Sequence, residues 1–160
     1  IPIHLTGIGK TNAGIQTTRL IQKYDPDIVI NFGSCGNLRD YKLGEVLRVT
    51  SVVNDIDTKG FYNPPELFLP GKFKGVKCLT TDHMYDPSDK HLDSYSNKIN
   101  ECDIVEMELY SIVQSCILAE KIVYSYKWVS DDGSQDQWLK YAKLGFESFK
   151  EEIIKEFKIG

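Results

Sequence analysis

Three apolar runs rich in β-branched residues each stop abruptly at small or acidic residues: "DIVINFGS" at 27–34, "GVKCLTTD" at 75–82 and "KIVYSYKWVSDDGS" at 121–134. A short, nearly continuous apolar run bounded by turn residues reads as a strand buried on both faces, and that burial requires layers above and below it. Between the runs the period changes. "AGIQTTRLIQKY" places Ile15, Leu20 and Ile21 near one side of a helix that breaks at Asp25-Pro26. "DIVEMELYSIVQSCILAE" starts as a strand and becomes an apolar helix, with Tyr110, Val113, Ile117 and Leu118 at helical spacing. "GEVLRVTSVVNDID" is a long strand or strand pair, "PSDKHLDSYSNKIN" opens a polar helix at Pro87 and Ser88, and "WLKYAKLGFESFKEEIIKEF" is an amphipathic closing helix. The stretch from Thr58 to Gly75, with "NPPELFLPG", is expected to be a long loop. Strands alternating with helices predict an α/β fold: a single three-layer αβα domain over 1–160 with a mixed, largely parallel twisted sheet, its ligands at the carboxyl ends of the strands.

The bulk numbers fit that expectation. A chain of 160 residues can bury one core, and 41% hydrophobic with 26% charged residues excludes a disordered chain. No apolar run reaches the ~20 residues that span a bilayer, so no membrane partner is expected and the reading is cytoplasmic. With a net charge of −4 and scattered lysines, no nucleic-acid partner is expected either. Cys35, Cys78, Cys102 and Cys116 stand far apart in apolar or small-residue contexts, read as buried free thiols, and no metal site is expected.

The stretch "LTGIGKTNAG", 5–14, looks like a phosphate loop but lacks its glycines. A Walker loop needs glycine where His4 stands, and the dinucleotide fingerprint needs one at Asn12 unless the turn lengthens to Gly14. What remains is a short strand and a glycine turn feeding a helix. Either that turn touches a ligand anion at the helix N-terminus or it is a structural connection.

Chemistry-bearing residues collect at strand ends: Gly33-Ser34-Cys35-Gly36, Thr80-Thr81-Asp82, Ser130-Asp131-Asp132 and Glu106-Met107-Glu108. Carboxylates beside apolar runs are costly to bury without partners. Glu108 could serve only as a helix-start carboxylate and Asp131 only as a cap or turn residue. Together they favour a site.

In their order, "TGIGKTNAG", "PDIVINFGSCGNL", "GEV", "VEMELYSI" and "WVSDDGSQ" resemble the purine nucleoside phosphorylase and uridine phosphorylase superfamily, with most similarity to its methylthioadenosine/S-adenosylhomocysteine nucleosidases. The resemblance implies cleavage of the N-glycosidic bond of an adenine nucleoside, without a cofactor, by a homodimer. Asp131 would protonate or hydrogen-bond the purine N7, oriented by Ser130, which requires a partly desolvated strand end. Glu108 would hold the ribose 2′- and 3′-hydroxyls beneath a ring becoming cationic, with Met107 packed on the sugar and Glu106 also among the substrate-binding residues. Ser34, Cys35 and Gly36 would line the sugar and nucleophile region, and Met84 and Tyr85 would flank the purine or, alternatively, pack ordinarily under a loop. Phosphorylases of this kind carry an arginine just before the glycine-serine turn, where this chain has Asn31-Phe32, and none of Arg19, Arg39 and Arg48 is in that position. Water is therefore the expected nucleophile. The family's N-terminal strand, with the glutamate that activates this water, and one internal helix have no counterpart here. Asp55, Asp57, Asp132 or a residue of another subunit are the conceivable substitutes. The alternatives are a phosphorolytic purine nucleoside phosphorylase and a catalytically weak nucleoside-binding protein.

Overall fold

The computed structural model describes residues 2–56, 64–71, 74–88 and 96–157. In chain order these form α1 (Lys10–Tyr24), β1 (Ile28–Asn37), β2 (Val46–Asn54), β3 (Glu66–Phe68), β4 (Val76–Thr80), α2 (Ser96–Glu101), β5 (Ile104–Glu106), α3 (Leu109–Leu118), β6 (Ile122–Asp131), α4 (Gln135–Tyr141) and α5 (Gly145–Phe157). The strands make one mixed sheet in the order β3-β2-β4-β5-β1-β6. β1 runs parallel to β6, and β4 runs parallel to both β2 and β5, whereas β5 meets β1 antiparallel at Gly36 and Val105. The sheet also curls until its ends meet, because Val46–Val49 of β2 pair antiparallel with Trp128–Ser125 of β6.

Apolar helix faces cover both sides. Ala13 and Ile21 of α1 share a core with Leu109, Ile112, Val113 and Cys116 of α3 and with Val49, Val52, Cys78, Ile104 and Val123 of the sheet. On the other side, Phe149 and Ile153 of α5 pack with Tyr126 and against Ile30, Phe32 and Tyr124. An α/β architecture follows because strands this apolar on both faces need helices on each side.

Several local expectations are corrected. Residues 2–6 form no strand and Leu5 is almost fully exposed; a strand needs a neighbouring edge, and none among the described residues pairs with them. The inward face of α1 is Ala13, Thr17 and Ile21, while Ile15 faces outward. In α3, Ile117 and Leu118 are 48% and 80% exposed rather than core. β2 is one strand, and no helix separates it from β4 among the described residues. Within "NPPELFLPG", Glu66–Phe68 pair with Val53–Ser51, because burying Leu67 against the sheet edge outweighs the turn character of the flanking prolines. Pro87 and Ser88 lie in a turn, with α2 starting only at Ser96.

The closing helix is two helices, and Gly145 marks the reason. A Cβ there would stand 2.0 Å from Trp128 Cγ and Cδ2, so the backbone at the start of α5 rests on the indole, and Trp128 Nε1 donates to Ala142 O at 3.1 Å. Gly145→Ala is therefore expected to destabilise the protein by about 1–3 kcal/mol despite alanine's better helix propensity. A urea midpoint at or above the wild-type value would show that the indole is not seated on this backbone.

Candidate active site

The strand ends converge on one cavity of about 450 Å³. Its wall includes Thr6, Gly7 and Ile8 before α1, Asn31 to Gly36 of β1, Thr81, Met84 and Tyr85 after β4, and Val105 to Glu108 around the end of β5. Lys127 and Asp131 of β6 and Gln135 and Trp138 of α4 complete it.

A β-bulge sets the Asp131 corner. Cys35 faces Val129 across the β1–β6 ladder but Gly36 faces Asp131, leaving Ser130 as the extra residue. Bulges re-aim side chains in this way at strand ends. Ser130 is fully buried behind the aspartate, with its hydroxyl 2.7 Å from Asp131 Oδ2 and 3.2 Å from Cys35 O. Asp131 Oδ1 accepts the Gly133 N–H at 2.9 Å, so the carboxylate, only 5% exposed, has a partner on each oxygen. The turn role foreseen for Asp131 thus coexists with its place in the cavity wall, and the cap of α4 is Ser134 instead. Gly36 makes the room: a Cβ there would lie 3.2 Å from Asp131 Oδ1 and 3.0 Å from Val105 Cγ1.

The two glutamates divide their work by position. Glu106 starts α3: its Oε2 accepts the N–H groups of Glu108 at 3.0 Å and Leu109 at 2.8 Å, satisfying donors that a helix N-terminus leaves open. Thr80 Oγ1 donates to Glu106 Oε1 at 2.5 Å and accepts the Tyr110 N–H at 3.0 Å. Lys127 Nζ lies 2.9 Å from Glu106 Oε2, with both side chains almost wholly buried. The helix-start role considered for Glu108 therefore belongs to Glu106, and the Glu108 side chain makes no cap. Glu108 Oε1 instead accepts the Gly9 N–H at 2.8 Å. Burial raises the Glu108 pKa and the neighbouring Glu106 raises it further, against the opposing pull of Lys127 and of the Gly9 and Met107 N–H groups. Burial opposes the charge on Lys127, but Glu106 and Glu108 outweigh it and hold the ammonium above the ordinary lysine range.

Removing Lys127 would leave Glu106 as an uncompensated buried charge. Lys127→Met is accordingly expected to cost about 3–5 kcal/mol, with partial recovery in the Lys127→Met, Glu106→Gln double variant. Denaturant melts of the three proteins measure both, and a loss under 1 kcal/mol would mean that the pair is solvated.

Of the residues expected from the sequence, Ser34, Cys35, Gly36, Met84, Tyr85, Glu106, Met107, Glu108 and Asp131 line the cavity, whereas Ser130 stands behind the wall. Asp55 and Asp132 are not among the lining residues, and Asp57 lies outside the described residues. Asp55 is instead engaged by Lys10 at 2.5 Å and by the Asp82 N–H at 2.9 Å. Sequence reasoning missed Lys127, Gln135 and Trp138. A lysine inside the apolar run "YSYKWVS" was a usable signal, since a charge in a buried strand requires a partner. Trp138, whose Nε1 donates to Ser34 Oγ at 3.2 Å, had no such signal, because only the packing of α4 brings it to β1. Among the described residues no group of three or more His, Cys, Asp or Glu side chains is placed to hold a metal ion.

Residues 2–92 match the phosphorylase superfamily, and a 5′-methylthioadenosine/S-adenosylhomocysteine nucleosidase of an Exiguobacterium species is 48% identical over 91% of this chain and 71% of its own. The chain belongs to the phosphorylase superfamily. A Bacillus cereus member with the same nucleosidase name is 29% identical over 96% of this chain and 80% of its own. Among solved structures, the nucleosidase of Neisseria meningitidis in complex with methylthio-immucillin-A superposes with a TM-score of 0.70 at 26% identity, over 91% of this chain and 71% of that one. The mixed α/β sheet is thus a superfamily feature, and the cavity lies where strands of that sheet end.

Proposed function

We propose that this protein hydrolyses the N-glycosidic bond of an adenine nucleoside of the 5′-methylthioadenosine, S-adenosylhomocysteine or 5′-deoxyadenosine type, releasing adenine. The observation that carries the reading is that Glu108 and Asp131, from different strand ends, both border one cavity of about 450 Å³, a volume suited to a nucleoside. The relatives named as nucleosidases of these compounds support it.

Breaking this bond leaves positive charge on the ribose ring and negative charge on the departing base, and the wall has a group for each. Asp131 delivers a proton or hydrogen bond to the purine N7, steadied by Ser130 and the Gly133 N–H. Glu108 accepts from the 2′- and 3′-hydroxyls and attracts the oxocarbenium charge as it forms. Met107 packs on the sugar, Met84 and Tyr85 flank the base, and Ser34, Cys35 and Gly36 line the nucleophile's side. Water is the better nucleophile because Lys127, the cation among the described lining residues, is paired with Glu106, and no described arginine lines the cavity. A doubly charged phosphate would need more. The protein is further read as one domain over 1–160 acting in the cytoplasm as a homodimer. The exposed Ile15 of α1 and Ile117 and Leu118 of α3 favour that association. No helix of the described residues is long and apolar enough to cross a membrane.

Incubation with 5′-methylthioadenosine, S-adenosylhomocysteine and adenosine, with and without phosphate, tests the reading through free adenine. Release without phosphate is expected. Release only with phosphate would make the protein a phosphorylase, and tight binding with no release would make it a nucleoside-binding protein.

A further inference from the structure

The Gly-Lys-Thr at the start of α1 invites comparison with a phosphate loop, but its lysine turns away from the cavity. Lys10 Nζ lies 2.9 Å from Asn54 Oδ1, 2.5 Å from Asp55 Oδ1 and 3.1 Å from Asp82 Oδ2. An ammonium has three hydrogens, and here there are three acceptors for them. Lys10 and Asp55 side chains are only 11% and 9% exposed, so this is a largely desolvated junction rather than a screened surface pair. The acceptors are themselves held in place: Lys98 Nζ donates to the backbone carbonyls of Asn54 and Asp55, and Asp55 Oδ2 accepts the Asp82 N–H.

Three segments bordering the cavity or leading to it meet at this ammonium: the glycine turn before α1, the end of β2, and the β4 end that continues through Thr81 to Met84 and Tyr85. Within the glycine turn the Ile8 carbonyl accepts from Asn12 Nδ2 at 2.8 Å, a bond local to the turn that does not by itself tie it to the sheet. Gly7 and Gly9 both have positive φ, and no side chain caps α1. Besides the cavity wall formed by Thr6, Gly7 and Ile8, the turn is tied to the site by the Gly9 N–H on Glu108 Oε1, one residue from Lys10 and between residues 99 positions apart in the chain.

We propose that Lys10 is a positioning residue: by gathering Asn54, Asp55 and Asp82 onto one ammonium, it fixes the first turn of α1 so that the Gly9 N–H stays on Glu108 and holds that carboxylate in the orientation that binds the sugar. The inference rests on the reading of Glu108 as the sugar-binding carboxylate. The groups that act on Glu108 are Glu106 from β5, Lys127 from β6, the neighbouring Met107 N–H and the Gly9 N–H from the start of α1. Only the last depends on Lys10, so losing the tether leaves the two charged neighbours and the Met107 N–H in place and removes one of the two hydrogen bonds that favour ionised Glu108.

The test is an NMR titration of the full chain labelled with ¹³C-glutamate, with the Glu108 carboxyl assigned by its loss in Glu108→Gln, alongside KM for 5′-methylthioadenosine. Lys10→Met is expected to raise the Glu108 midpoint by roughly half to one pH unit and KM by about 10-fold, while Lys10→Arg, which keeps a cation at the junction, recovers most of both. A folded Lys10→Met protein with wild-type midpoint and KM overturns the proposal, however much its melting temperature falls. If that variant does not fold, Asp82→Ala removes an acceptor that is 45% exposed. A smaller upward midpoint shift then supports the tether, and an unmoved midpoint overturns it. The midpoint is read without substrate, so a wild-type protein that releases no adenine would refute the nucleosidase reading while leaving Lys10 to be judged separately.

Discussion

Asp131→Asn should lower the turnover of 5′-methylthioadenosine by about 10²- to 10⁴-fold while changing KM less than about threefold, as expected for a group used chiefly in the transition state. The amide is nearly isosteric with the carboxylate. Its carbonyl can keep the Gly133 N–H, and the Ser130 hydroxyl, now 2.7 Å from Asp131 Oδ2, can rotate to accept from the new NH₂. The bulge at Ser130 and the wall beside Gly36 therefore persist, and the change is confined to the missing proton. Adenine release under saturating substrate measures kcat, and a melting curve verifies the fold. Wild-type turnover in a folded variant would remove Asp131 from the chemistry and leave it as a turn residue.

Glu108→Gln should act on binding and rate together. The carboxylate is proposed to hold two hydroxyls in the ground state and to face a cationic ring in the transition state, and hydrogen bonds to a charged acceptor are worth about 1.5–3 kcal/mol, roughly 10- to 150-fold. The pH dependence carries a second signature. The ionised form of Glu108 is the acceptor, and burial together with Glu106 raises its pKa from the ordinary 4.5. Affinity is therefore complete above that raised value and falls as pH decreases through it; the variant lacks this acid limb. The stability effect has the opposite sign. A glutamate whose folded pKa is raised contributes stability below its unfolded pKa and loses it as pH rises through the folded one, so at neutral pH the glutamine variant should melt no lower than wild type. A variant that unfolds at neutral pH, together with a wild-type complex in which Glu108 makes no contact to the ribose, would make Glu108 a structural residue.

Much of the site was legible because its signals are local. A β-branched run that stops at Gly33-Ser34 or Ser130-Asp131 declares a strand and its exposed end within a few residues, and Glu106-Met107-Glu108 sits where an apolar strand turns into an apolar helix. The assignment of tasks between the two glutamates was not legible. Glu106 caps α3 because Lys127, 21 residues away, and Thr80, 26 residues away, hold it there, whereas Glu108 points to a backbone N–H from the far end of the chain. Nor could periodicity divide the closing helix, since the break at Gly145 comes from an indole in β6.

From its sequence alone this chain is committed to strands at its longer apolar β-branched runs, to helices with apolar faces, and to small or acidic side chains at those strand ends, because backbone sterics and the 2.0 and 3.6 periods act over a few neighbouring residues. Only the tertiary structure decides that β2 closes on β6, that Lys127 neutralises Glu106, and that Lys10 leaves the cavity for Asp55 and Asp82. Each is a pairing between groups far apart in the chain, whose free energy depends on the burial and partners that the assembled fold creates.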